Sequence, residues 1–199
     1  MQHSDSLSRM DAECGDGDFG VGMQLGFKNA RRALLESKND DIGCLLRTVG
    51  QQILSSVGGA SGPLFGTLFI EAGKAVAGKR EIDVMDLARM FDNSLEKISL
   101  RGGASVGDKT LVDALAPAVT SLRRSAENDV DVSQALEMAA EAAKAGADST
   151  KNLIAKHGKA RYLGEQTLGC EDPGAEVVRL VFENLSSHRR TRTSPCQGS

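Results

Sequence analysis

An acidic segment near the N-terminus carries the clearest chemical signal in the sequence. Asp11, Asp16 and Asp18 lie there together with Glu13, and glycines alternate with them through Gly20. Carboxylates this close repel one another unless a cation compensates their charge. Mg²⁺ and Ca²⁺ prefer oxygen ligands, and protein-bound Mg²⁺ commonly shares its coordination shell with substrate phosphates. The segment therefore predicts a divalent-cation site, and a solvated acidic turn at the start of a helix is the alternative.

A glycine-rich run at 57–63, Val-Gly-Gly-Ala-Ser-Gly-Pro, precedes a predicted helix. Such a run exposes backbone N–H groups, and the helix N-terminus that follows adds a positive partial charge. Both features suit an anion, although an ordinary glycine-rich turn between two helices looks the same in sequence.

A second glycine-rich run at 101–110 nearly reproduces a phosphate-binding P-loop, but Asp108 separates Gly107 from Lys109. A P-loop also follows a parallel strand, and no strand pattern precedes this run. We therefore reject the P-loop. Asp108 is instead predicted to cap the helix that follows, which would place Lys109 and Thr110 in its first turn.

The segment 158–174 combines basic side chains with a helix-start signal. Lys159 and Arg161 could bind phosphate, or they could simply be basic residues near the end of a helix. The run Asp-Pro-Gly at 172–174 is typical of a capped helix start.

The sequence shows no recognisable catalytic nucleophile. The histidines His3, His157 and His188 do not form part of a Ser/His/Asp arrangement that spacing could reveal. A chain with candidate metal and phosphate sites but no nucleophile suggests that another chain carries the substrate.

The elements that must position these residues are predicted to be helices. Apolar residues recur every three or four positions, without convincing two-residue alternation. The predicted helices span 20–37, 41–57, 62–77, 83–100, 108–123, 132–156 and 174–186. Short connectors make neighbouring helices antiparallel, so alternate connectors share one end of the domain and the glycine-rich segments can converge there. The chain is therefore predicted to be all-α, with an N-terminal lead at 1–10, a domain at 11–185 and a disordered tail at 186–199.

Composition and charge exclude several classes of protein. The 199 residues carry 24 basic and 27 acidic side chains, a formal net charge of −3, and no tryptophan. Nucleic-acid binding needs a concentrated basic face and aromatic side chains for base stacking, so we expect no nucleic-acid partner. No apolar run approaches the roughly 18 residues of a membrane span, and no signal sequence is visible. We therefore expect no membrane association and a cytoplasmic location.

Five motifs in order, GDGDFG, GGASGP, GDKTLVDAL, GKARYLGE and DPGA, resemble the L subunit of dihydroxyacetone kinase, the nucleotide-binding half of that enzyme. The resemblance covers residues 11–186. It implies an antiparallel barrel of eight amphipathic helices with a nucleotide at one end. Here about seven helices are expected, with the first helix of the family missing before Met1.

The resemblance also implies ligands for named residues. Asp11, Asp16 and Asp18 match the aspartates that hold two Mg²⁺ ions between the phosphates of ADP or ATP. The matching nucleotide-binding positions are Phe19, Gly20, Val21, Gly22, Ala60, Ser61, Gly102, Leu111, Lys159, Asp172, Pro173 and Gly174.

Three of these positions depart from the family pattern. Phe19 stands where His, Thr or Cys is usual, and Gly22 replaces a frequent asparagine. Lys159 offers a point charge where the family commonly has an arginine, whose guanidinium can form two parallel hydrogen bonds.

The implied function is phosphoryl transfer to dihydroxyacetone or a related ketose held on a histidine of the partner K subunit. The donor is either ATP, exchanged at each turnover, or a phosphotransferase-system M subunit that rephosphorylates bound ADP. A regulatory, nucleotide-sensing subunit without catalytic activity is an alternative. The related nucleotide domain of fatty-acid kinase is another.

Overall fold

The computed structural model describes residues 3–190, with side chains up to residue 187, and its regular structure is helical throughout. The α-helices are α1 (Ser4–Cys14), α2 (Phe19–Glu36), α3 (Ile42–Ser56), α4 (Ser61–Ala75), α5 (Val84–Gly102), α6 (Leu111–Glu127), α7 (Val132–Ser149) and α8 (Pro173–Arg190). Two 3₁₀ segments, Thr150–Asn152 and Ala160–Thr167, lie between α7 and α8. The described residues contain no strand, so the all-α prediction is confirmed.

Helix α1 is an addition to the predicted elements, and it makes the number of described α-helices eight instead of about seven. It runs through most of the predicted N-terminal lead and across the proposed boundary at residue 11. Leu7 is buried in the core, and Met10 packs against it from the same face. The spacing of Leu7, Met10 and Cys14 is helical, but the polar residues between them obscured the pattern.

The start of α6 differs from the prediction because Thr110, and not Asp108, is the N-cap. Thr110 and Asp113 form a capping box, in which the Asp113 carboxylate accepts the Thr110 N–H at 2.7 Å. Asp108 lies in the preceding connector, where it accepts the Ser105 N–H at 2.8 Å and pairs with Lys156. The prediction that Asp108 caps the helix is therefore wrong.

Two further helix ends differ from the predicted ones. Helix α7 ends at Ser149 instead of 156, because the chain tightens there into a 3₁₀ segment. Helix α8 continues to Arg190, so 186–190 are helical although the prediction placed them in a disordered tail; residues 191–199 of that tail lie outside the described residues.

The helices close into an antiparallel barrel. Each α-helix packs against the next along the chain, and α8 also contacts α1. Alternation of direction places the connectors after α1, α3, α5 and α7 at one end of the barrel. None of the helices in the described part of the chain combines the length and apolar content that a membrane span needs.

Glycines let α3 and α4 approach almost backbone to backbone. A Cβ built on Gly50 would lie 2.7 Å from the Gly66 carbonyl oxygen and 2.7 Å from the Ile70 Cγ1. One heptad away, a Cβ on Gly43 would lie 2.5 Å from the Gly73 carbonyl oxygen. Because backbone atoms cannot yield as a flexible side chain does, these positions admit no side chain in the observed packing.

We therefore expect Gly50→Ala to lower the free energy of unfolding by about 1–3 kcal/mol, because the added methyl group overpacks the α3–α4 contact. Denaturant unfolding followed by circular dichroism measures this change. The matched control is Gly22→Ala in α2, where a Cβ meets only Val57 at 3.6 Å. There, higher helix propensity should leave the stability unchanged or raise it by up to about 1 kcal/mol. Equal stability of the Gly50 variant and the unmodified chain would contradict the packing argument.

Candidate functional site

Three carboxylates meet where α1 ends and α2 begins. Asp11 lies in the last turn of α1, and Asp16 and Asp18 lie in the connector. One ligand oxygen from each lies within 4.8 Å of the other two. The connector folds tightly over Asp11: a Cβ on Gly15 would lie 2.4 Å from its Oδ1. Hard oxygen donors gathered in this way suit a divalent cation, as the sequence predicts.

Asp11 also fixes the first turn of α2. Its Oδ2 accepts the backbone N–H of Phe19 at 3.2 Å. The Phe19 ring packs toward Phe65 of α4, with ring centroids 6.3 Å apart, so this residue contributes backbone to the site and its side chain to the core. Gly20 lies against α1, where a Cβ would be 2.1 Å from the Ser4 carbonyl oxygen.

The glycine-rich turn before α4 lies beside the start of α2. A Cβ on Gly22 would contact Val57 at 3.6 Å, and a Cβ on Gly62 would collide with the Val57 carbonyl oxygen at 2.1 Å. Ala60 is the N-cap of α4 and Ser61 is its first residue. This contact brings the predicted positions Ala60 and Ser61 to the same end of the barrel as the acidic cluster.

The helix starts α2 and α4, at the end of the barrel that carries the acidic cluster, share one feature. Neither N-cap residue, Asp18 for α2 or Ala60 for α4, accepts a capping hydrogen bond with its side chain. By contrast, Thr110 caps α6 and Asp131 caps α7 with side-chain oxygens. In α2 the Asp11 carboxylate accepts the N–H of Phe19. The other first-turn N–H groups of α2 and those of α4, together with the helix dipoles, favour an anion.

The remaining predicted nucleotide-binding positions lie at the same end of the barrel. A Cβ on Gly102, the last residue of α5, would lie 3.2 Å from Leu64 in the first turn of α4. A Cβ on Gly174 would lie 3.5 Å from the Cβ of Leu111, the first residue of α6. Pro173 begins α8, and Val21 in the first turn of α2 is exposed.

Asp172 caps α8, as the sequence predicts, with its Oδ2 accepting the Ala175 N–H at 2.7 Å. Burial raises the pKa of Asp172 to about 7, although the Ala175 N–H and the Lys109 ammonium favour the ionised form.

Lys159 joins the segment 158–174 to the acidic cluster. Its ammonium pairs with the Asp16 carboxylate across 143 residues of sequence. The hydrogen bond lowers the pKa of Asp16 and raises that of Lys159. Arg161, the other basic candidate in this segment, instead lies over the Tyr162 ring, 4.7 Å from its centroid. The metal and nucleotide roles of the residues at this end of the barrel stay predictions.

Sequence reasoning missed two features near the site. Lys109 is buried, and its Nζ donates to the backbone carbonyls of Thr150 and Cys170. Asp108 pairs with Lys156 and His157, and these contacts with the Ser105 N–H lower its pKa to about 2. The imperfect P-loop pattern was the only sequence signal for either, and it did not indicate burial.

Comparison with known proteins identifies relatives over nearly the whole chain. The family model described as "DAK2 domain" matches residues 13–187. The ADP-binding subunit DhaL of PEP-dependent dihydroxyacetone kinase from Escherichia coli is 42% identical over 183 residues, covering 92% of this chain and 87% of that protein. The corresponding subunit of kinase 2 from Listeria innocua is 38% identical and covers 91% and 86%.

A crystal structure shows the same architecture. The dihydroxyacetone kinase of C. freundii in complex with AMP-PNP and Mg²⁺ aligns with a TM-score of 0.70 at 29% identity, covering 94% of this chain. This chain spans 31% of the length of that kinase. The family match, the two relatives and the helical barrel agree: the chain belongs to the DAK2 domain family.

Proposed function

We propose that this chain is the nucleotide-binding subunit of a dihydroxyacetone kinase, or of a kinase for a related ketose. One observation carries the proposal: the carboxylates of Asp11, Asp16 and Asp18 meet within 4.8 Å, at the end of the barrel where α2 and α4 begin without a capping hydrogen bond from their N-cap side chains. A site for a metal-bound nucleoside diphosphate combines two features, which are oxygen ligands for Mg²⁺ and helix N-termini for the phosphates.

The three aspartates fit Mg²⁺ by donor type and spacing, and the resemblance to the family implies two ions. Mg²⁺ bound there would neutralise charge on the β- and γ-phosphates during phosphoryl transfer. Asp11 positions the first turn of α2 toward the phosphates through its contact with the Phe19 N–H. The pairing of Lys159 with Asp16 supports a second role for this ammonium, contact with the phosphates.

The substrate is proposed to reside on a partner. No nucleophile of this chain is recognisable at the site, and the family resemblance implies a K subunit that holds the ketose covalently on a histidine. The role of this chain would then be to bind the nucleotide, exclude water and align the transferred group with the ketose hydroxyl. Names of the Escherichia coli and Listeria innocua relatives support this division of labour, because both are ADP-binding subunits of dihydroxyacetone kinases.

The same names favour bound ADP as a coenzyme. Both relatives are described as PEP-dependent, and a Lactococcus lactis relative at 32% identity is described as PTS-dependent. We therefore infer that a phosphotransferase-system M subunit is the second partner and the phosphoryl donor. ATP that is exchanged at each turnover is the second candidate for the donor.

Reconstitution tests this function. The purified chain, mixed with a K subunit and dihydroxyacetone, should form dihydroxyacetone phosphate when an M subunit and the PEP-driven relay are supplied. With ATP replacing the relay, we expect no sustained turnover if ADP stays bound. A mixture that binds nucleotide but forms no product under either condition would favour the regulatory alternative.

We expect Asp16→Asn to weaken Mg²⁺-dependent ADP binding about ten- to a hundredfold, because one anionic ligand of the cluster is lost. Calorimetric titration with and without Mg²⁺ measures the effect. The control is Asp129→Asn in the turn at the opposite end of α6, where asparagine tolerates the positive φ of 49°. Equal affinities of the Asp16 variant and the unmodified chain for ADP in the presence of Mg²⁺ would contradict the assignment of Asp16 as a metal ligand.

We expect Lys159→Met to weaken binding of Mg²⁺-ADP about tenfold, because a charge-assisted hydrogen bond to phosphate is lost. Lys159→Arg restores the guanidinium usual in the family and should bind at least as tightly as the unmodified chain. At higher salt the same titration should give a smaller difference in Mg²⁺-ADP affinity between the Met and Arg variants, because salt screens the charge at position 159. Undiminished affinity of the Met variant would show that Lys159 has no phosphate contact.

A further inference from the structure

Lys109 is a buried cation that the proposed phosphoryl transfer does not use. The residue is only 5% exposed, and its φ of 59° lies in the left-handed region that non-glycine residues seldom adopt. Burial of a charge and an unfavourable backbone conformation both cost free energy. Such a residue persists only where its surroundings require it.

The Lys109 ammonium joins two connectors. Its Nζ donates to the Thr150 carbonyl oxygen at 2.7 Å and to the Cys170 carbonyl oxygen at 2.5 Å. Lys109 belongs to the connector between α5 and α6, whereas Thr150 and Cys170 lie at the two ends of the long connector between α7 and α8. A single side chain therefore joins the α5–α6 connector to both ends of the α7–α8 connector, at the nucleotide end of the barrel.

Thr150 passes this restraint to the turn at 172–174. Its Oγ1 accepts the Asp172 N–H at 3.0 Å and donates to the Ala147 carbonyl oxygen at 2.6 Å, so the hydroxyl has one fixed orientation. Asp172 in turn caps α8, and Gly174 lies against Leu111 at the start of α6. Two hydrogen bonds, one to the backbone and one to the side chain of Thr150, therefore connect Lys109 to the turn.

Charge reinforces the geometry. Burial lowers the pKa of Lys109, and the neighbouring acidic groups oppose that change. The carboxylates among those groups are Asp113 and Asp172. Burial raises the pKa of the Cys170 thiol to about 11, so at neutral pH that group is uncharged. Reciprocally, burial raises the pKa of Asp172, and the Lys109 ammonium, after the Ala175 N–H, opposes that change.

We propose that Lys109 is a positioning residue, which holds the 172–174 turn against the start of α6 in the arrangement that nucleotide binding requires. The inference rests on the proposed function, because Leu111, Asp172 and Gly174 are nucleotide positions only within it. Lys109 itself is enclosed, and it acts through Thr150 and the backbone at Cys170.

The first test replaces Lys109 with methionine, which keeps much of the volume and removes the ammonium. In calorimetry of the full chain, we expect Mg²⁺-ADP affinity to fall at least about tenfold, the loss typical when an outer partner of a site is removed. The matched control is Lys151→Met, one residue from Thr150, where an exposed lysine pairs with Asp148 and Glu171. A surface ion pair contributes little, so this control should bind within about twofold of the unmodified chain.

A second pair of variants keeps the test decisive if Lys109→Met does not fold. Thr150→Val preserves the shape of the buried side chain and removes the hydroxyl, whereas Thr150→Ser retains the hydroxyl. We expect the Val variant to lose affinity about tenfold and the Ser variant to restore it. Rescue by serine would identify the hydrogen bond from the Asp172 N–H to this hydroxyl as the contact on which Mg²⁺-ADP affinity depends.

Gly50→Ala separates positioning from plain loss of stability. It destabilises the barrel at the α3–α4 contact, and at a temperature where it is folded it should bind Mg²⁺-ADP like the unmodified chain. Affinity loss in this variant equal to that of Lys109→Met would overturn the proposal, as would full affinity in folded Lys109→Met or in Thr150→Val. If the unmodified chain binds no Mg²⁺-ADP, the proposed function itself fails, and this result differs from equal binding by all variants.

Discussion

The site depends on keeping three like charges close together at the end of a helix. Asp11, Asp16 and Asp18 repel one another, yet the fold holds one oxygen of each within 4.8 Å of the other two. Asp11 is anchored by the turn of α1 that carries it and by the Phe19 N–H, and Asp16 is neutralised in part by Lys159. A divalent cation relieves this repulsion more fully than one ammonium can, because it carries twice the charge and coordinates several oxygens at once.

The barrel supplies the rigidity that such a cluster needs. Helices of alternating direction bring four connectors to one end, and those connectors carry the acidic, glycine-rich and basic segments. Close contact between α3 and α4, which Gly50 and Gly66 permit, stabilises the barrel as a whole. The cap residues divide the helix starts at this end into two kinds. Helices α6 and α8 have first-turn N–H groups occupied by Thr110 and Asp172. In α2 the Asp11 carboxylate accepts the Phe19 N–H, and no N-cap side chain accepts the other first-turn N–H groups of α2 or those of α4.

Two lysines illustrate how burial decides the role of a side chain. Lys159 is exposed and contacts a carboxylate of the acidic cluster, so water and other ions compete for it and it can exchange partners. Lys109 is enclosed and donates to backbone carbonyls, so its hydrogen bonds are exchanged only if the connectors themselves move. The first suits direct contact with phosphate, and the second suits the support of a turn.

The sequence by itself determined the fold class, seven of the helices and the order of the motifs, because apolar periodicity and glycine placement are local properties of the chain. It also indicated that the glycine-rich segments share one end, since short connectors force alternation of direction. Tertiary structure alone decided that α1 is a helix, because Leu7 becomes a core residue only when α2 and its neighbours cover it. It likewise decided that Thr110 displaces Asp108 as a cap, that Lys159 meets Asp16, and that Lys109 is buried. These outcomes depend on contacts between residues far apart in sequence, whose free energies no local pattern records.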